Sequence, residues 1–285
     1  MIDMLTVNPC IKIAMKASPH TFDSLLSDKL TTDMLPNFIY GSYIGLAVTV
    51  FGLVPTITAM FGKSILPSLA ESCAKNDKKA IQSGLTKMLI VTSIIAIPAG
   101  MGIAVLSEPI LHFLFGGRET EIQVCIMPMS ILGIAVIFLA IATPCFAILQ
   151  TLGKPHKAII IMLTGGIIKL FLNIILIRQP IINISGAAIS TLVSEVFICA
   201  LSVRSVCKMT DLKPKVSEIF VKPTYAAIMC SVTAVLSHET LTKIANLQIN
   251  HRFVTLFSIG IGSTMYFFCL YLLCETPKNI VNYLS

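Results

Sequence analysis

The chain has 285 residues, 55% of them hydrophobic and only 12% charged, with a net charge of +7 and a mean hydropathy of +0.86. A soluble domain carries about 25% charged residues, so polar side chains here are too few to cover a soluble globule, and an all-α, polytopic transmembrane bundle is expected. The same composition offers no basic face on a soluble fold, which excludes a nucleic-acid partner.

The first 14 residues are apolar but short for a span, which needs about 20 residues. Asp3 and Pro9 weaken the segment further, so residues 1–14 read as a partial transmembrane helix. The start lacks a basic region before its apolar run, so no cleavable signal peptide is expected. Residues 15–37 read as a polar connection with Asp23, Asp28 and Asp33.

About seven full spans follow, at roughly 38–62, 88–107, 123–151, 157–177, 183–203, 220–238 and 251–273. The first contains Gly41 and Gly45, a weak close-packing signal by itself, and Pro55. A Lys-rich amphipathic connection over 63–87 leads to the second, which Pro98 interrupts. A short loop with Arg118 leads to the third, which has room to bend at Pro144. A basic loop with Lys208, Lys213, Lys215 and Lys222 precedes the sixth span, and a tail with Lys278 ends the chain.

Thirteen lysines and arginines fall on one set of alternate loops, among them Lys75, Lys78, Lys154 and Arg204; six fall on the other, among them Arg118, Arg178 and Lys243. The positive-inside rule puts the richer set, and the C-terminus, in the cytoplasm. The nine cysteines form no CxxC pair and no Cys/His cluster at metal spacing, so they read as small apolar fillers. The five histidines sit in loops or at span edges and receive no role. No metal or cofactor is expected, and no P-loop, HExxH or GxSxG pattern gives the chain an enzyme's residues.

Three ionisable or polar residues stand out inside spans. Lys169 lies near the middle of 157–177, Asn173 one turn further along the same face, and Glu195 near the middle of 183–203. An ionisable group at that depth costs about 2.5–3.5 kcal/mol even on the gentlest insertion scale and marks a functional site by default. Lys169 reads as a cation facing a cavity, where it meets a phosphate or another anionic group; the alternative is a structural lysine paired with Glu195 or Asp3. Asn173 either extends a polar stripe along the cavity or makes an interhelical hydrogen bond. Glu195 is either a coupling carboxylate or the counter-ion of Lys169, with the counter-ion role preferred; Asp3 is the weaker partner because its helix is incomplete.

SILPSLAES (64–72), IPAGMGIAVLSEPILHFLFGG (97–117), AILQTLGKPHKA (147–158), GGIIKLFLNIILI (165–177) and ISGAAIST (184–191) occur in an order and spacing that resemble the multidrug/oligosaccharidyl-lipid/polysaccharide exporter superfamily. The likeness is strongest to its stage V sporulation protein B branch, with the MviN-type lipid II flippases as cousins. The resemblance implies two helical lobes facing each other in a V, with two further helices at the C-terminus. It implies alternating access that carries an undecaprenyl-pyrophosphate-linked oligosaccharide or peptidoglycan precursor across the bacterial plasma membrane. The family's cavity lysine matches Lys169 and the asparagine after it matches Asn173. In that frame 38–206 is the second lobe and 207–285 holds the two additional helices with a cytoplasmic tail. The family's first lobe has no counterpart in these residues, which leaves three readings open: a truncated form of a longer flippase, one half of a split transporter completed by a separate N-terminal lobe, or a half-length form that pairs with a second copy. The lipid-linked oligosaccharide and membrane lipids are the other expected partners. The rival functions are a cation-coupled multidrug exporter of the same superfamily and a non-transporting scaffold in envelope synthesis. A lysine at mid-depth suits an anionic cargo better than a cationic drug.

Overall fold

The computed structural model describes residues 2–18, 31–75, 77–211, 217–245 and 251–273, and their regular structure is helical throughout. The elements are α1 (Ile2–Ala17), α2 (Leu35–Ser42), a π-helical turn (Tyr43–Val48), α3 (Thr49–Phe51), α4 (Leu53–Ala74), α5 (Lys78–Val105) and α6 (Ser107–Phe115). They continue with α7 (Glu119–Thr151), α8 (Pro155–Leu176), α9 (Ser185–Thr210), a second π-helical turn (Ser217–Val221), α10 (Lys222–Ala245) and α11 (His251–Leu273). Among the described residues, seven helical stretches are long and apolar enough to cross a membrane, and each expected span coincides with one of them to within two residues or lies inside it. The chain is a multi-pass membrane protein.

The helix α7 is apolar all round, as a helix buried on several faces must be, and the others assemble on it. Its N-terminal half packs Ile122, Met129 and Leu132 against Ile39 and Tyr43 of the α2 region and Ala187 of α9. Its C-terminal half packs Ile141, Cys145 and Ile148 against Leu89 of α5, Ile161 of α8 and Ile198 of α9. Lipid tails are as apolar as leucine, so close fit and interhelical hydrogen bonds hold such helices together. The crossing of α5 and α7 shows the fit: a methyl group on Gly133 would run into the backbone of Ala104, and Ser130 Oγ donates to the Ala104 carbonyl at 2.8 Å beside it. The pair α10 and α11 docks on α5 through Ala226, Ala227 and Tyr266, whose hydroxyl donates to the Ile94 carbonyl at 2.8 Å.

Several boundaries depart from the sequence reading. The first helix runs through Pro9 to Ala17, past the expected end at residue 14, because Val7, Cys10, Ile11 and Ala14 are buried along one face. The Lys-rich stretch 63–87 is mostly helix: α4 continues to Ala74, and α5 begins after Asp77, whose carboxylate accepts from the Lys79 and Ala80 backbone N–H groups at 3.1 Å. Buried Leu69, Leu85 and Met88 keep both helices in register beyond the apolar runs. The second span ends at Val105, and the residues after it form the short α6. The connection holding His20, Asp23, Asp28 and Lys29, the loop lysines Lys213 and Lys215, and the tail with Lys278 lie outside the described residues.

The seven described cysteines sit as small side chains within the bundle. Cys10, Cys125, Cys145, Cys199 and Cys230 are buried, Cys207 and Cys269 half-buried, and all seven are free thiols.

Candidate functional site

Two helices carry the residues singled out in the sequence, and small side chains let them meet. A methyl on Gly165 of α8 would collide with Ile198 of α9, and a Cβ on Gly186 would meet the backbone of Leu176 at 2.9 Å. With these contacts at either end of the α8–α9 crossing, Lys169 and Asn173 face the α9 stretch from Ser190 to Glu195.

At that level α1 completes the site. The ammonium of Lys169 donates to Asp3 Oδ2 at 2.7 Å, and the two side chains are only 19% and 16% exposed. Asn173, fully buried, donates through Nδ2 to Asp3 Oδ1 at 2.9 Å and to Thr6 Oγ1 at 3.0 Å, while its Oδ1 accepts from the Ser190 hydroxyl. Both carboxylate oxygens of Asp3 are therefore engaged, and three helices are tied together at one polar centre. A charge-assisted bond of this kind is short and about twice as strong as a neutral one.

The sequence reading expected Glu195 as the counter-ion of Lys169, and the structure gives that role to Asp3. The reason lies in where α1 sits: its polar face, Asp3 and Thr6 one turn apart, lies directly against Lys169 and Asn173. Glu195 is on the same side of α9 and within electrostatic reach of Lys169, yet its Oε2 is buried without a hydrogen-bond partner. Of the three residues named from sequence, Lys169 and Asn173 share one network and Glu195 stands beside it. Thr6 and Ser190 were missed. Each could have been found from its spacing, Thr6 at i+3 from Asp3 and Ser190 in the small, polar run Ser190, Thr191, Ser194 on one face of α9. No group of three or more His, Cys, Asp or Glu among the described residues is placed to hold a metal ion.

The helices that bear the centre also present an apolar exterior. Ile160, Leu163, Ile167 and Phe171 of α8 and Phe197 of α9 are all exposed. A face of that size is rare on a soluble protein and ordinary against lipid.

Among known proteins, the chain is 21% identical over 223 residues to the lipid II flippase MurJ of Bacillus subtilis, covering 76% of this chain and 40% of that protein. It is 22% identical over 182 residues to stage V sporulation protein B of the same organism, covering 63% of this chain and 34% of the relative. The chain thus spans about a third to two fifths of the length of these relatives. A MOP superfamily transporter from Pyrococcus furiosus superposes with a TM-score of 0.55 at 15% identity, over 94% of this chain and 64% of that one, so the two share a fold. The family model for lipid II flippase MurJ matches residues 40–258, from α2 to α11 and through every span that builds the polar centre except α1, and the chain belongs to that family.

Proposed function

We propose that the chain is the second lobe, with two appended helices, of a flippase that moves an undecaprenyl-pyrophosphate-linked oligosaccharide or peptidoglycan precursor across a bacterial plasma membrane by alternating access. Residues 38–206 form the lobe, α10 and α11 are the added pair, and the C-terminus faces the cytoplasm. The family match supports the class of cargo. The single observation that carries the reading onto particular residues is the ammonium of Lys169 at mid-depth, held by Asp3 and flanked by Asn173.

An ammonium has three donors, and Asp3 takes one of them. The pyrophosphate of the cargo competes with Asp3 for that cation, with Asn173 and Glu195 lining the same polar face. The opposing wall of the cavity comes from a first lobe or from a second copy. Such a site binds and releases its cargo without making or breaking a covalent bond, in keeping with a transporter rather than an enzyme.

The test is complementation in a bacterium depleted of its own lipid II flippase, with this chain expressed alone and together with the first lobe of the full-length Bacillus subtilis relative. Growth in either arm supports the reading, and the arm that grows identifies the partner. With insertion verified, failure in both arms contradicts it.

A further inference from the structure

Two cavities open where α5 meets α6, α10 and α11. The first, about 670 Å³, is almost wholly apolar, with Ile94 and Pro98 of α5, Ile110 of α6 and Ile259 and Phe267 of α11 in its wall. Part of its room comes from Gly102 of α5, which borders it and where a Cβ would meet nothing within 4 Å. Phe267 is also exposed on the outside of the bundle, so the cleft opens towards lipid. The second cavity, about 540 Å³, differs in chemistry: Glu108 and His112 of α6 and His238 and Glu239 of α10 line it. Each is of the size of a ligand site, roughly 300–1,000 Å³.

The two cavities adjoin. Leu106 borders both, and on each long helix the wall passes from the apolar part to the polar part within about one turn: from Gly102 to Val105 on α5, from Ala234 to His238 on α10, and from Ile259 to Thr255 on α11. An apolar cleft that opens to lipid and ends in a polar pocket fits an amphiphile, its tail in the first and its head in the second. The charges say which head. Among the described residues neither a lysine nor an arginine lines either part, while the polar part holds two carboxylates. A third, that of Glu119, stands at its edge, 3.6 Å from His112 Nδ1. Carboxylates gathered without a cation repel an anionic head and attract an ammonium. The pocket is thus the electrostatic opposite of the Lys169 centre.

We propose that this composite cleft binds a membrane phospholipid whose head group carries an ammonium, of the phosphatidylethanolamine class. One acyl chain lies along Gly102 and Ile94, and the ammonium, with three N–H donors, bonds to Glu108 and Glu239. The rings of His112 and His238 complete the wall around the head. Seated there, the lipid bridges α5 and α6 to the α10–α11 pair, so the composition of the membrane sets how firmly that pair is docked. No bond is made or broken. The inference goes beyond the flippase reading and does not rest on it.

The chain contains no tryptophan, so Ile110→Trp supplies a single fluorescent reporter in the cleft wall. The experiment reads its quenching in phosphatidylcholine vesicles that contain either phosphatidylethanolamine or phosphatidylglycerol brominated on the acyl chains, at equal mole fractions. The ethanolamine lipid is expected to occupy the cleft about threefold better than the anionic lipid, the order expected of charge contacts at partly exposed sites. In the reporter chain, Glu108→Gln combined with Glu239→Gln, both at exposed side chains, is expected to erase that preference and leave the fold unchanged. Gly102→Leu, which fills the cleft, is expected to lower quenching by both lipids. Equal quenching by the two lipids, stronger quenching by the anionic one, or a preference that survives the paired glutamate change overturns the proposal. Quenching undiminished in Gly102→Leu, with helicity by circular dichroism unchanged, overturns the placement of the tail. Complementation tests the flippase reading separately, so either result can fail with the other standing.

Discussion

At Lys169 the local energetics depend on which partner is removed. The pair with Asp3 is largely shielded from solvent, at 19% and 16% exposure, so deleting one member leaves an uncompensated charge. Lys169→Met is expected to cost about 3–5 kcal/mol of stability, and Lys169→Met combined with Asp3→Leu to recover most of that loss. Denaturation of the wild-type, single and double variants in mild detergent checks this; losses that simply add would mean the two side chains do not act as a pair. Asn173 is a different case. Its hydrogen bonds to Asp3, Thr6 and Ser190 join α8 to both neighbours, so Asn173→Ala, measured in the same way, is expected to lose about 1–3 kcal/mol by leaving those groups unsatisfied.

Among the elements, the crossing of α5 and α7 is the least forgiving. Gly133 has the Ala104 backbone where a side chain would go, whereas a Cβ on Gly102 meets nothing within 4 Å. Gly133→Leu is therefore expected to destabilise by about 1–3 kcal/mol or more through overpacking, and Gly102→Ala to stay within about 0.5 kcal/mol. Thermal stability of the two variants in detergent compares them; equal losses would contradict the close crossing. The spans themselves were legible because hydrophobic length is a property of the sequence alone, and each expected run overlaps one membrane-length helical stretch over nearly all its length. Helix ends were not. Hydropathy reports where the lipid stops, and α4 and α5 continue as helix beyond that point through Lys63 and Lys87, on the strength of buried Leu69 and Leu85. The break before α4 was half visible: Pro55 stands in the first turn of α4, where its missing N–H costs little, and the helix breaks just ahead of it at Gly52. The π-helical turn at Tyr43–Val48 had no signal, since it depends on how the α2 region seats against α7. Lys169 and Asn173 were legible as polar residues in apolar runs. The partner of Lys169 was not, because choosing between two acids requires knowing which helix lies against it.

Over the whole molecule, a polar centre shared by three helices sits behind an apolar exterior, and the family match spans all seven membrane-crossing stretches at least in part. Under the proposed reading, this centre is where a lobe would meet the anionic head of a lipid-linked cargo. The most direct measurement is translocation of fluorescent lipid II in vesicles holding this chain together with the first lobe of the Bacillus subtilis relative. The account predicts transfer between leaflets that falls at least about tenfold, equivalent to about 1.4 kcal/mol, in Lys169→Ala. Transfer indifferent to Lys169, or export of a cationic dye with no movement of lipid II, would contradict it.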